Sequence, residues 1–112
     1  MVSPTTTPFR GEIWWMAGPG HQTRQPVLIV QNDVGNAHAR TVIAAVVTAD
    51  VLHKRYPQVV PLDESLLGQP ATVRCDIIRT IDKARLTERA AVVPREAMAE
   101  VDAALRRSLA LT

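Results

Sequence analysis

The sequence predicts a mainly β domain closed by one C-terminal α-helix, and three observations predict it. Short β-branched runs at residues 27–31, 42–48 and 72–78 are separated by clusters of Gly, Pro, Asn and Asp, the pattern of strands joined by turns. Near the end the period changes, and Met98, Val101, Leu105 and Leu109 recur every three or four residues. The length of 112 residues suits one core and is too short for two. Short strands with Gly and Pro turns, followed by a single helix, make a small, partly open barrel with the helix packed against it.

In chain order, residues 1–9 are rich in Thr and Pro and read as a flexible tail before a domain spanning 10–112. The tail lacks the basic and apolar regions of a signal peptide, which sets a cytoplasmic location as the expectation. Residues 12–16 form an apolar strand stopped by Gly18, Pro19 and Gly20. Its adjacent Trp14 and Trp15 must face opposite sides, one toward the core and the other toward an interface or a stacked base. The continuous, β-branched run 27–31 suits a strand covered on both faces, and Asn32, Asp33, Gly35 and Asn36 supply a turn before the strand 42–48. Pro57 and Pro61 place 56–62 at a sheet edge, because proline has no N–H for a ladder. After the strand 72–78 comes a short helix around 83–86. The final amphipathic helix has Pro94 in its first turn, Glu96 and Glu100 early and Arg106 and Arg107 late, complementing the helix dipole.

Composition narrows the function classes. A formal charge of +2 with pI near 9.2 permits a polyanionic partner without demanding one. No apolar run approaches the roughly 18 residues of a membrane span. The single cysteine excludes an internal disulfide and a cysteine cluster for zinc, and Cys75 reads as a small buried hydrophobe. His38 and His53 have no metal-ligand spacing and read as surface residues, so neither metal nor cofactor is expected. Arg74, Arg79, Lys83, Arg85 and Arg89 fall close together and either line a groove or solvate a face.

Arg74 and Asp76 are two apart on one strand and therefore share a face. They are either a structural ion pair or a cation and a base around a phosphate.

Five stretches, RGEIWW (10–15), QPVLIVQND (25–33), VIAAVVT (42–48), VRCDIIRTIDKARL (73–86) and EVDAALRRSLAL (100–111), give the chain a resemblance to the MazF/PemK (Kid) family of toxin endoribonucleases. The resemblance implies the SH3-like barrel shared with CcdB toxins, a homodimer, a single-stranded RNA substrate and a MazE-like antitoxin as partner. It also implies sequence-specific, ribosome-independent and metal-independent cleavage to 2',3'-cyclic phosphate and 5'-hydroxyl ends.

By that resemblance the Kid-type catalytic residues are Arg74, Asp76 and the loop residue His21, and the Bacillus-type threonine is Thr48. The Bacillus-type arginine stands immediately before a proline, where this chain has Gln25, with Arg24 one residue upstream. Since a shift of one residue reverses a side chain in a strand, Arg24 reaches the groove beside Thr48 only if the preceding loop bulges, and that is the expectation. Gln22 replaces a family glutamate and Ile77 a family glutamine, and with Gln25, Arg79 and Lys83 they form the expected RNA contacts. Two rival functions share the fold. One is a CcdB-like gyrase poison, which would require a Trp-Gly-Ile tail where this chain ends Leu109, Ala110, Leu111, Thr112. The other is an RNA-binding module without catalysis.

Overall fold

The computed structural model describes residues 7–18, 23–49 and 58–111. Its strands are β1 (Glu12–Ala17), β2 (Arg24–Ile29), β3 (Thr41–Thr48), β4 (Val59–Leu62), β5 (Ala71–Asp82) and β6 (Leu86–Val92). Two helices, α1 (Asp33–His38) and α2 (Arg95–Ser108), complete the order. The strands form one antiparallel sheet in the order β4-β5-β3-β2-β1-β6.

Alternation along the strands builds two cores. Ile13, Leu28, Ala45, Val47, Val73 and Cys75 meet Val101 and Ala104 of α2 on one face. Trp14, Met16, Val27, Ile29, Val42, Ala44 and Ile81 pack together on the other. Val27, Leu28 and Ile29 are thus covered on both sides, as their unbroken apolar run requires. Strand β4 lies at the edge and carries Pro61, while Tyr56 and Pro57 are outside the described residues. Cys75 is fully buried, and burial, with the carboxylates of Asp76 and Asp102, pushes its thiol up to about 11.

Four local features differ from the sequence reading. Residues 32–36 enter a short helix rather than a turn, because Asn32 caps it by accepting from the Gly35 N–H, and the residues that favour turns also cap helices. The short helix after β5 is a single 3-10 turn, Lys83–Arg85, capped by Asp82. Pro94 is the N-cap of α2 rather than part of its first turn. Strand β6 had no sequence signal: among the described residues it is an edge strand pairing with β1 alone, its register shifts at two points, and Thr87, Glu88 and Arg89 are exposed. At the N-terminus, Pro8 is buried and the Phe9 N–H donates to Glu12, so packing already begins at Pro8.

One irregularity positions the site. In the β3–β5 ladder Ala45 stands opposite Ile78, yet its neighbour Val46 stands opposite Arg74, so residues 75, 76 and 77 have no counterpart in β3. An odd insertion reverses the parity of the strand. Before the bulge Thr72 and Arg74 share a face; after it that face belongs to Arg79 and Ile81, which lie opposite Ala44 and Val42.

Candidate active site

Four residues singled out from the sequence fall on the face defined by Val27 and Val46, which are cross-strand partners. Gln25 precedes Val27 by two, Thr48 follows Val46 by two, and Arg74 lies directly opposite Val46, so their side chains leave the sheet on the same side. Asp76, two beyond Arg74, completes the group.

Arg74 grips Asp76 with two parallel bonds, Nε to Oδ1 at 2.9 Å and a terminal guanidinium nitrogen to Oδ2 at 2.7 Å. This hydrogen bonding holds the Asp76 carboxyl below its ordinary value of 3.8 even though partial burial works in the opposite direction. The carboxylate remains 38% exposed, so the pair is presented to solvent and not sealed in the core. Thr48 Oγ1 lies 3.5 Å from the Thr72 carbonyl oxygen, at the limit of a hydrogen bond, which leaves the hydroxyl free to turn to another acceptor.

Gln25 is tied down differently. Continuing the β2–β3 register beyond Val27 and Val46 brings Pro26 opposite Val47, and proline has no N–H to give. The Gln25 side-chain amide supplies that donor instead, reaching the Val47 carbonyl at 2.6 Å. Val47 is fully buried, and a buried carbonyl without a donor costs about 1–3 kcal/mol.

Arg24 does not join this group. It lies opposite Ala17 in a β1–β2 ladder that runs without a register shift, so regular alternation directs it to the other face. There its guanidinium sits 4.6 Å from the Trp15 ring centroid and pairs with Glu88 at 2.9 Å. The bulge expected to bring Arg24 to Thr48 falls in the loop 17–23, of which residues 19–22 lie outside the described residues; Arg24 itself stands in regular register opposite Ala17.

The basic run is dispersed. Lys83 donates to the Asn36 and Ala39 carbonyls at the end of α1, Arg85 to the Ala17 carbonyl, and Arg89 to Glu12. Arg79 is exposed and forms no ion pair among the described residues. Ile77, at the bulge, is 38% exposed. His21, Gln22 and His53 lie outside the described residues.

Sequence reasoning overlooked Glu12, whose signal was a charge inside an apolar run. It is buried and accepts from the Phe9 N–H, the Trp14 indole and Arg89, joining β1 to β6. Burial alone would raise its pKa, but these hydrogen bonds outweigh that effect and hold it below the ordinary value. Trp14 is accordingly a core residue, while Trp15 is the partly exposed member of the pair.

Residues 9–109 match the family described as the PemK-like, MazF-like toxin of type II toxin-antitoxin systems. The chain belongs to this family. It is 40% identical over 89 residues to the endoribonuclease EndoA of Bacillus subtilis, covering 78% of this chain and 77% of that protein. Its fold superposes on a Mycobacterial endoribonuclease solved with its cognate antitoxin, with a TM-score of 0.82, 28% identity and coverage of 94% and 97% of the two chains. It also matches MazF in a MazE–MazF complex from Deinococcus radiodurans, with a TM-score of 0.80, 28% identity and coverage of 96% and 99%. The six-stranded sheet with its terminal helix is therefore the MazF-type architecture expected from the resemblance. Among the described residues, no helix of this MazF-like chain is long and apolar enough to cross a membrane.

Proposed function

We propose that the chain is an endoribonuclease toxin that cuts single-stranded mRNA in the cytoplasm, without a metal ion or the ribosome, and at a preferred sequence. The observation that carries this reading is the bidentate Arg74–Asp76 pair, partly exposed on the same face as Thr48. Internal cleavage of RNA needs a base for the 2'-hydroxyl and positive charge where the phosphoryl oxygens become more negative. Asp76, ionised throughout the neutral range, takes the 2'-hydroxyl proton. The 2'-oxygen then attacks the adjacent phosphorus as the bond to the 5'-oxygen breaks and that oxygen takes up a proton from solvent, leaving a 2',3'-cyclic phosphate and a 5'-hydroxyl. Arg74 hydrogen-bonds the phosphoryl and departing oxygens, exchanging part of its contact with Asp76 for the phosphate. Thr48 donates its weakly held hydroxyl to the same phosphate, and His21 serves as an auxiliary group.

Arg79, brought to this face by the bulge in β5, holds a neighbouring phosphate. Exposed Ile77 offers a base an apolar contact in place of the family glutamine's hydrogen bonds, which fits a changed base preference. The likeness to a MazE–MazF complex and to an endoribonuclease solved with its antitoxin supports a homodimer neutralised by a MazE-like antitoxin. An acidic, partly apolar segment that orders on binding suits the basic face.

Incubation with RNA in EDTA, followed by sequencing of 5'-hydroxyl ends, tests the reading. Cleavage at a recurrent motif with cyclic phosphate on the upstream fragment is expected. Dependence on a divalent ion would remove the metal-free mechanism. Inhibition of gyrase with RNA left intact would place the protein with the CcdB-like poisons instead.

A further inference from the structure

Gln25 stands before Pro26, where the resemblance puts an arginine, and its amide donates to the Val47 carbonyl. We propose that it is a positioning residue for Thr48, acting through the Val47 carbonyl, and that this chain has replaced a charge at the site with a side-chain rung in its ladder.

An antiparallel ladder alternates its bonds, and in β3 the Thr48 position faces Thr72 of β5 while the Val47 carbonyl points toward β2. At that rung β2 presents Pro26, which has no N–H. The regular β2–β3 pairing ends at Val27 and Val46, two residues before the one whose hydroxyl has to be placed. Gln25 restores the rung from its side chain, with Nε2 at 2.6 Å from the Val47 oxygen and 3.2 Å from the Pro26 oxygen. Both amide hydrogens thus have acceptors on the backbone. The Val47 carbonyl carbon is bonded to the Thr48 nitrogen, so holding that oxygen fixes the peptide plane from which Thr48 projects. Thr48 needs such support, since among the described residues its own hydroxyl makes just the 3.5 Å contact with Thr72. Gln25 thereby acts on the orientation of the catalytic hydroxyl and not on RNA.

This inference rests on the reading of Thr48 as a phosphate contact, and a double-mutant cycle separates the two. Gln25→Met keeps the length of the side chain and loses its donor; Gln25→Arg keeps a donor; each is made with Thr48 intact and with Thr48→Ala, and cleavage of a short RNA carrying the mapped motif is measured at steady state. Gln25→Met is expected to lower kcat about tenfold with KM within about twofold, because the defect is misplacement of a reacting contact. In the Thr48→Ala background the same change is expected to have almost no effect. Gln25→Arg is expected to recover most of the lost kcat. A Gln25→Met variant that raises KM alone, or whose full defect persists without Thr48, would show that Gln25 contacts RNA directly and overturn the inference while leaving Thr48's role intact. A silent Thr48→Ala would overturn the reading of Thr48 and this inference with it. Circular dichroism checks each variant's fold, and should Gln25→Met unfold, Gln25→Ala with its larger gap and Gln25→Glu with its length and no donor make the same comparison.

Discussion

Arg74 and Arg24 are both paired with a carboxylate on the same sheet, yet they face opposite ways. Arg74 binds Asp76 on its own strand, at 2.7 Å, with a side chain only 24% exposed. Arg24 binds Glu88 on another strand, at 2.9 Å, with a side chain 49% exposed, and lies over Trp15. In sequence Arg24 is the neighbour of the position where the resemblance puts an arginine, so adjacency favours it. Strand parity decides against it, because one residue of displacement in an unshifted ladder is half a rotation of the side chain. Parity works the other way for Arg79, an odd number of residues from Arg74, because the bulge at 75–77 restores it to the same face. The lesson is that the direction of a cation follows ladder register more than proximity in the chain.

The comparison breaks most readily at the pair itself. Asp76→Asn and Arg74→Ala are each expected to lower RNA cleavage about a hundredfold or more, the scale of losing a general base or a transition-state donor, with the fold retained by circular dichroism. Folded variants that cleave at near wild-type rates would return attention to Arg24. A smaller effect is expected at Arg79, where replacement by Ala should raise KM several-fold with kcat held and reduce the slope of log binding against log salt by about 0.7, as for one lost phosphate contact to a single strand. If Arg79→Ala changes neither KM nor the salt slope, the bulge has no role in presenting it to RNA.

Arg24→Ala is expected to keep cleavage within about twofold, because its partners are Glu88 and Trp15. The lost stacking is worth about 0.5–1 kcal/mol, which a thermal melt reads as a drop of a few degrees. A cleavage defect as deep as that of Arg74→Ala would overturn the distinction between the two arginines.

The smallest effect concerns pH. Arg74 depresses the folded-state pKa of Asp76 below 3.8, so pairing stabilises the fold above the unfolded value, and the gain disappears as pH falls through the depressed one. The pair is partly exposed, so Asp76→Asn should lower the melting temperature at pH 7 by no more than about 4 °C, with the gap closing as pH falls below 3.8. A gap that closes near pH 6 would mean that Asp76 titrates well above the range its partner imposes.

What residue order alone determined is what depends on local periodicity. The apolar runs of β2 and β3 and the three-to-four spacing in α2 require, respectively, strands buried on both faces and a helix with one buried side, and the fold has both. Arg74 and Asp76 were legible as a pair because two residues on one strand share a face whatever surrounds them. Strand β6 was not legible, since an edge strand with one partner and two register shifts needs no alternating pattern. The orientation of Arg24, the restoration of Arg79 and the use of Gln25 to complete a rung that Pro26 leaves open were settled only in three dimensions. Each depends on which residue stands opposite in the neighbouring strand, and cross-strand register is a property of the assembled sheet that no single segment contains.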